Sequence, residues 1–261
     1  MSFIVGATSG ASADSGGPVG YIKFLGPVGP SQIQILERAR QNVLSYTDYV
    51  ARGAPNKKEV ALTFDDGPGA QTPQILKILN QSKTPATFFQ LGQNVAEFPL
   101  AAQAVAVSGY PIGDHTTDHK DLKTLSRADQ EAEIDGMTNT SRQHGLQSPV
   151  LFRPPYGSYN KDTLDILAKR KMIMALWAVD SEDWRLPGVD AIVQNVLGNI
   201  QAGDIVLMHD AGGDRSQTIA ALPRIIAGLK QRGLKPVTVP QLLADDPPPR
   251  DQATPDALMG G

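Results

Sequence analysis

The sequence predicts an α/β fold of about seven parallel strands arranged as a β/α barrel, preceded by an N-terminal helical extension. From Glu59 onward, short apolar runs alternate with stretches of helical periodicity, which is the pattern of repeated β/α units. Several of these runs are followed directly by polar residues that could carry chemistry. The carboxyl ends of the strands in a β/α barrel open on one face, where active sites lie. The pattern therefore predicts one pocket assembled from distant parts of the chain.

The N-terminal segment, residues 1–55, precedes the β/α pattern. Residues 1–30 are rich in Gly, Ser and Pro, and we expect a loosely ordered arm. Ser31 offers an N-cap for a helix that runs to about Val50 and carries a partial apolar face. Residues 53–57 are expected to link this helix to the following strand.

The central segment, residues 56–244, contains the predicted strands and most of the predicted helices. Strands are expected near residues 59–64, 86–91, 111–113, 149–152, 173–178, 204–208 and 235–238. Helices are expected to begin at Thr72, Ser126, Asn160, Asp190 and Ser216. Pro223 should kink the last of these helices.

The C-terminal segment, residues 245–261, contains three consecutive prolines and few apolar residues. Such a composition cannot bury enough apolar surface to offset the entropy of ordering, so we expect a disordered tail. The chain thus divides into an N-terminal arm and helix, a central β/α domain and a C-terminal tail.

Composition argues against nucleic acid as a partner. The net charge is −3 with 20% charged residues, and there is no long basic run. No stretch approaches the roughly 18 apolar residues of a membrane-spanning helix. The chain contains 0 Cys, which excludes disulfides and thiolate metal ligands and leaves His and carboxylates for any metal.

Two adjacent carboxylates end the first apolar run, in the sequence Thr63-Phe64-Asp65-Asp66-Gly67-Pro68. Like charges this close raise one pKa unless a cation lies nearby. A metal ion bound by one carboxylate, with the other free to act as a base, resolves the conflict. The alternative is a solvated Asp-Gly turn between a strand and a helix.

Two of the 4 histidines lie in the segment from His115 to His119. In a helix this spacing places both imidazoles on one face, close enough to share one ion. Thr116 stands where a zincin motif has Glu, so any general base must come from elsewhere, and Asp65 and Asp66 are the candidates. An Asp/His/His site with open positions suits zinc or another divalent transition metal. The alternative is a helix surface without a metal.

Three other segments carry candidate residues. In Arg153-Pro154-Pro155-Tyr156, the prolines stiffen the chain and fix Arg153 and the Tyr156 backbone, although a rigid loop without chemistry has the same pattern. Residues 180–184 follow an apolar run and include Asp183 and Trp184. His209 directly follows the run Ile205 to Met208, where a structural His is the alternative. Residues 210–216 are expected to form a flexible rim beside it.

The candidates share one position in the predicted fold. Asp65, His115, Arg153, Asp180 and His209 each come just after the carboxyl end of a predicted strand. Because all such ends open on one face of a barrel, we expect these side chains to meet.

Taken in order, five motifs resemble those of the polysaccharide deacetylases, carbohydrate esterase family 4, whose domain is also called the NodB-homology domain. They are Thr63–Pro68, His115–His119, Arg153–Tyr156, Asp183–Trp184 and Leu207–His209. The resemblance spans about residues 58–244, and Thr116 replaces a frequent Ser while keeping its hydroxyl. It implies a distorted, incomplete (β/α) barrel.

The resemblance also implies a role for each motif residue. The metal ligands would be Asp66, His115 and His119. The catalytic residues would be the base Asp65, its partner Arg153, the oxyanion-facing backbone N–H of Tyr156, the acid His209 and its partner Asp183. The acetyl group would contact Trp184, Leu207 and Tyr156. His144, the remaining histidine, is expected to lie outside the site.

By the same resemblance, the expected function is metal-dependent removal of acetyl groups from polysaccharides or oligosaccharides that contain N-acetylglucosamine, of the chitin or peptidoglycan type. Zinc is the expected metal, with cobalt or nickel as alternatives. O-deacetylation of acetylxylan competes with this reading, and a non-catalytic carbohydrate-binding module or a metal-free relative acting on cyclic amides are alternatives of other classes. No signal peptide is visible at Met1–Gly6, yet we expect an extracytoplasmic protein, secreted or part of an envelope-tethered parent. The oligomeric state stays open.

Overall fold

The computed structural model describes residues 30–250, and nine strands within that range form one sheet. The strands are β1 (Tyr49–Val50), β2 (Glu59–Gly67), β3 (Thr87–Gln90), β4 (Ile112–Asp114), β5 (Leu151–Phe152), β6 (Ile173–Ala175), β7 (Val179–Asp180), β8 (Ile205–His209) and β9 (Lys235–Val237). The helices are α1 (Pro30–Leu44), α2 (Thr72–Ser82), α3 (Gly92–Glu97), α4 (Pro99–Val107), α5 (Arg127–Gln143), α6 (Lys161–Arg170), α7 (Val189–Asn199), α8 (Ser216–Gln231) and α9 (Val239–Asp245).

The sheet is parallel and strongly curled. Its order is β1-β6-β5-β4-β3-β2-β8-β7, with β9 paired to β2 as a branch. β6 and β7 lie near opposite ends of this order, yet only residues 176–178 separate them in the chain. The Leu176 N–H donates to Val50 O at 2.7 Å, and the Ala178 N–H donates to Ile205 O at 2.9 Å. The two ends of the sheet therefore approach each other, which confirms the predicted incomplete α/β barrel.

β2 is the central strand of the barrel, and its side chains are buried on both faces, as a parallel strand covered by helices requires. On one side Phe64 stacks on Phe88 with ring centroids 5.2 Å apart, and α2, α7 and α8 cover this cluster. On the other side Ala61 belongs to a second cluster with residues of α1 and α9. The carboxyl end of β2, which carries Asp65 and Asp66, is thus held rigidly.

The expected strand near 173–178 is wrong in its extent, and two short strands were missed. The chain leaves β6 after Ala175, crosses the gap and re-enters the sheet as β7. A continuous apolar run therefore serves two sheet positions, which apolar periodicity does not distinguish. Missing β1 and β7 explains why the expected number of strands is seven rather than nine.

The N-terminal helix also differs from the expectation. α1 begins at Pro30, so Ser31 lies inside its first turn, and the helix ends at Leu44 rather than near Val50. Tyr49–Val50 instead pairs with β6 in parallel register. Ala39 and Val43 are fully or almost fully buried in one cluster with Val50, Leu242 and Leu243. α1 therefore packs as part of the domain, against α9 and against strand residues of the same buried cluster.

Other helix predictions agree within one residue. α2, α5, α6, α7 and α8 begin at or next to the expected positions, and Ser126 Oγ accepts a hydrogen bond from the Asp129 N–H at 3.2 Å. Pro223 lies inside α8. The sequence missed α3, α4 and α9. In the described part of the chain, none of the helices has both the length and the apolar content that a bilayer crossing needs.

The predicted start of the disordered tail, residue 245, lies too early in the chain, because the ordered structure continues past it. Asp245 ends α9, and the buried Asp246 carboxylate accepts hydrogen bonds from Asn56 Nδ2 at 3.0 Å and the Lys57 N–H at 2.9 Å. The linker of residues 53–57 is thereby fastened to the end of the domain. Residues 1–29 and 251–261, which include most of the expected arm and tail, lie outside the described residues.

We expect Val43→Ala to lower the free energy of unfolding by about 1.5–3 kcal/mol, because it removes buried methyl groups and leaves a cavity. Ile33→Ala on the same helix is the control, since Ile33 is 47% exposed, and it should cost no more than about 0.5 kcal/mol. Urea unfolding measures both. Equal effects of the two substitutions would mean that α1 is not part of the folded domain.

Candidate active site

The candidate residues from the sequence meet at the carboxyl ends of the strands, as expected. Asp65 and Asp66 end β2, His115 follows β4, Arg153 follows β5 and His209 ends β8. β2 pairs with β8 in a register that places Asp65 opposite His209. Residues separated by more than a hundred positions in the chain thus share one rim of the barrel.

Asp66, His115 and His119 form a three-residue cluster suited to a metal ion. One ligand-type atom from each residue lies within 4.8 Å of the others. Asp66 Oδ1 is 3.5 Å from His115 Nε2 and 3.3 Å from His119 Nε2. Two atoms bound at about 2.1 Å to a tetrahedral zinc lie roughly 3.4 Å apart, so the spacing fits. Asp66 Oδ1 is also buried without a hydrogen-bond donor, as a metal-binding oxygen would be.

The two histidines do not lie on a helix, contrary to the interpretation of their spacing. The segment between them is a loop in which Thr116 has φ 73° and His119 has φ 60°. These left-handed turns, rather than a helical repeat, bring the imidazole centroids to 5.0 Å. Non-glycine residues with positive φ concentrate at functional sites because only a well-braced structure keeps them there.

Hydrogen bonds on the outer nitrogens orient both imidazoles. His115 Nδ1 lies 2.7 Å from Arg153 O, which only accepts, so this nitrogen carries the proton and Nε2 is left to bind an ion. His119 Nδ1 lies 3.2 Å from the Tyr156 hydroxyl, which directs its Nε2 toward Asp66 in the same way. Such outer contacts are the usual support of metal-binding histidines.

Asp66 is an anion across the physiological range. Burial alone would raise the pKa of its carboxyl, but the interactions with the nearby imidazoles of His115, His209 and His119 outweigh burial and lower the pKa to about 2. The carboxylate therefore needs no change of protonation state to bind a cation.

Asp65 is paired with Arg153, a fully buried cation. Arg153 Nη1 donates to Asp65 Oδ1 at 2.7 Å and to Thr63 Oγ1 at 2.8 Å. The other Asp65 oxygen, Oδ2, lies 3.7 Å from His115 Nε2, on the side of the metal cluster. Asp65 thus has one oxygen occupied by the guanidinium and one facing the ion site. The sequence did not mark Thr63 as part of this network.

His209, which lies opposite Asp65 on the neighbouring strand, is paired with Asp183. His209 Nδ1 lies 2.7 Å from Asp183 Oδ1, while Asp183 Oδ2 accepts from the His209 N–H at 2.9 Å and from Thr218 Oγ1 at 2.7 Å. Burial would lower the pKa of His209, but the hydrogen bond and charge of Asp183, with the charges of Asp65 and Asp66, raise it to about 9. The His209 imidazole is therefore protonated at neutral pH.

The three residues expected to contact an acetyl group differ in exposure. Tyr156 is 68% exposed, has φ 60° and lies in a turn formed by residues 155–157. Trp184 is 49% exposed, and the Arg185 guanidinium lies over its ring at 4.6 Å from the centroid. Leu207 is buried in β8. Their role toward an acetyl group stays a prediction.

Asp210 is a site residue that sequence reasoning placed in a flexible rim. Its side chain is fully buried, and its Oδ2 accepts from Thr72 Oγ1 at 2.5 Å. A Cβ on Gly67 would lie 2.4 Å from the carboxylate, so only glycine allows this approach beside Asp66. Burial, together with the Asp66 and Asp65 charges, raises the pKa of Asp210 to about 7. Its position directly after His209 was the available signal. Arg215 in the same segment is also buried.

A cavity of about 610 Å³ opens beside the metal cluster. Asp66, His119 and Tyr156 line one part of it, and Asn94, Phe98 and the segment 210–213 line the rest. Asn94 Nδ2 also donates to Asp66 O at 2.6 Å. Two residues of the ligand cluster, Asp66 and His119, and the exposed Tyr156 ring thus face a space large enough for a small organic group.

Comparison with known proteins identifies the family. The family model described as polysaccharide deacetylase matches residues 52–175. A peptidoglycan-N-acetylglucosamine deacetylase of Bacillus cereus is 42% identical over 206 residues, which cover 77% of this chain and 95% of that protein. The chain belongs to the polysaccharide deacetylase family. The predicted resemblance is therefore confirmed, and this family is metal-dependent.

Two further comparisons agree with this assignment. A chitooligosaccharide deacetylase of Sinorhizobium fredii is 35% identical over 210 residues, which cover 76% of this chain and 98% of that protein. The crystal structure of a peptidoglycan N-acetylglucosamine deacetylase superposes with a TM-score of 0.74 at 34% identity, covering 79% of this chain and 97% of that one. The deacetylase fold therefore extends over most of this chain.

Removing one ligand should remove the metal. We expect His119→Ala to weaken Zn²⁺ binding at least about 100-fold, because two ligands hold an ion far less tightly than three. His144→Ala is the matched control, since its backbone O accepts from Gln103 and it lies outside the cluster, and its affinity should stay within about twofold. Chelator competition measures both. Tight zinc binding by the His119 variant would contradict the ligand assignment.

Proposed function

We propose that the chain hydrolyses the N-acetyl group of N-acetylglucosamine residues in peptidoglycan or chitooligosaccharide substrates, with one divalent metal ion. The observation that carries this proposal is the arrangement around the Asp66-His115-His119 cluster. A carboxylate held by an arginine has its free oxygen beside the cluster, and a protonated histidine held by a carboxylate lies at the paired position of the neighbouring strand. Hydrolysis of an amide needs a base for water and an acid for the leaving amine.

Zinc is the ion that the donor set favours. One carboxylate and two imidazoles leave open positions, as in catalytic zinc sites, and Co²⁺ or Ni²⁺ are alternatives for the same ligands. When bound, such an ion supplies a Lewis acid that lowers the pKa of water and polarises a carbonyl.

The chain's own residues supply the remaining chemistry. Asp65 accepts the proton of the attacking water at Oδ2, the oxygen that Arg153 leaves free. The Tyr156 N–H lies in a turn fixed by two prolines and would donate to the oxyanion, worth about 3–4 kcal/mol for such a donor. His209 donates a proton to the departing amine, and Asp183 stabilises its cationic form. Trp184 and Leu207 are proposed to border the acetyl methyl group.

The relatives' names support the N-acetyl substrate. The similar proteins described above are named as deacetylases of peptidoglycan or chitooligosaccharide. A carbohydrate-binding module without catalysis would be expected to lack a ligand, the base or the acid, yet all of these side chains are present and adjacent. Acetylxylan remains the competing substrate to test.

We also propose that the protein acts outside the cytoplasmic membrane. Peptidoglycan, one of the two proposed substrates, lies on that side. Fractionation of cells that express the full-length protein tests this directly, and recovery only in the cytoplasm would contradict it.

Acetate release from N-acetyl chitooligosaccharides, peptidoglycan and acetylxylan tests the activity. We expect release from the first two substrates, and Asp65→Asn should lower kcat about 10²–10⁴-fold with zinc still bound, because an amide cannot accept the water's proton. Asp190→Asn is the control, because that side chain is 91% exposed at a surface ion pair. Release from acetylxylan alone, or full activity of the Asp65 variant, would contradict the proposal.

The pH dependence tests the acid. The raised pKa keeps His209 protonated through neutral pH, and the proton is lost as the pH rises through that value, so kcat/KM should fall on the alkaline side. Asp183→Asn removes the anion that raises this pKa, and the alkaline limb should move to lower pH. Profiles of kcat/KM for both proteins measure the shift. An alkaline limb that stays in place would assign it to another group.

A further inference from the structure

The loop that carries two of the metal ligands has an unfavourable backbone. Thr116 and His119 both have positive φ, and neither is glycine. Without external contacts such a loop would relax to other conformations and separate the two imidazoles. Some part of the surrounding structure must therefore hold residues 116–119 in place.

Glu133 on α5 makes the contacts that do so. Its side chain is 5% exposed, and its Oε2 accepts from the Thr117 N–H at 3.1 Å and the Asp118 N–H at 2.9 Å. Its Oε1 accepts from Lys120 Nζ at 2.6 Å. Its backbone O accepts from Thr117 Oγ1 at 2.8 Å. One residue outside the five motifs thus binds three residues of this segment, two of them between the ligand histidines and the third directly after His119.

Close packing leaves the loop little other space. A Cβ on Gly136 of α5 would lie 2.2 Å from Thr117 Oγ1, and a Cβ on Gly92 of α3 would lie 3.3 Å from Thr117 Cα. The Gly92 N–H donates to Thr116 O at 3.0 Å. The loop is therefore closely packed between α3 and α5. Glu133 accepts hydrogen bonds from the two loop N–H groups that this packing removes from solvent.

We propose that Glu133 is a positioning residue for the metal centre, holding the 116–119 loop in its ligand-binding conformation and so setting the affinity for the ion. The inference rests on the proposed function only in that a metal binds at Asp66, His115 and His119. Lys120 has a secondary part, because it neutralises the carboxylate that the loop amides share. Glu133 is neither one of the three cluster residues nor part of the lining of the cavity beside them.

Hydrogen exchange of the metal-free protein tests the loop directly. Glu133→Ala should make the Thr117 and Asp118 amides exchange at least about tenfold faster, because their acceptor is lost. The same variant should bind Zn²⁺ about 10–100-fold more weakly, as substitutions of residues that orient metal ligands usually do. Neither measurement involves a glycan, so loss of acetyl hydrolysis with normal zinc binding would overturn the proposed function but not this one.

Asp135→Ala is the matched control on the same helix. Asp135 pairs with Arg170 at 2.6 Å on the surface, and its loss should change zinc affinity and loop exchange by less than about twofold. Equal effects of the Asp135 and Glu133 variants would overturn the proposal, because they would show a general weakening of α5. Unchanged exchange and affinity in Glu133→Ala would also overturn it.

Glu133→Gln keeps the test valid if the alanine variant does not fold. The amide oxygen can still accept from both loop N–H groups, whereas its NH₂ group faces Lys120. We expect a partial loss of zinc affinity that Lys120→Met, added to Glu133→Gln, restores to within about threefold of the parent. A merely structural effect of Glu133 on the fold would not be rescued by a change in Lys120. Failure of this rescue, with a folded double variant, would contradict the proposed contact.

Discussion

The buried guanidinium of Arg153 is the interaction on which both the fold and the site depend. It donates to Asp65 and Thr63 of β2 and to the carbonyls of Ala175 and Leu176, where the chain crosses between the two ends of the sheet. It also lies 4.1 Å from the centre of the Phe89 ring. An unpaired cation at this depth would cost several kcal/mol, so Asp65 serves as a counterion as well as the proposed base. The proposed base therefore also has a structural role, and this role fixes where its other oxygen points.

Charged side chains of both signs lie around this pair. The Arg153 cation meets the Asp65 anion, the ligand cluster follows with its own anion Asp66, and the protonated His209 meets Asp183. Arg153 with Asp65, and His209 with Asp183, are pairs of opposite charge, which is how a barrel rim keeps several ionised groups out of bulk water. Asp210 is the exception, because burial beside two anions raises the pKa of its carboxyl to about 7. The Thr72 hydroxyl donates a hydrogen bond to the Asp210 carboxylate, and the absence of a side chain on Gly67 leaves room for it.

Much of the site was predictable because its signals are local. Asp65, Asp66 and His209 end strands that read as apolar runs, and parallel strands necessarily bring such ends to one face. The family resemblance also implied the partners Arg153 for Asp65 and Asp183 for His209, whereas the contacts that hold the loop of His115 and His119 were not predictable. Glu133 lies on a helix with ordinary amphipathic character, and only the fold shows that its carboxylate faces the loop of His115 and His119. β1 and β7 each have two residues and no periodicity of their own, so their pairing depends on how the sheet closes. The loop between the histidines has helical spacing in sequence but not helical geometry, because tertiary contacts decide its backbone.

The four left-handed backbones at Asp66, Thr116, His119 and Tyr156 have a consequence for anyone who engineers this barrel. Glycine or asparagine adopts that region more readily than these residues do, so a search for thermostable variants would favour replacing them. Each replacement would discard a side chain that belongs to the candidate ligand cluster, orients that cluster or faces the cavity. Selection for thermal stability and selection for turnover therefore favour different residues at the same four positions. Improvements in stability are better sought in α1 and α9, which share a buried cluster and in which no residue has a positive φ.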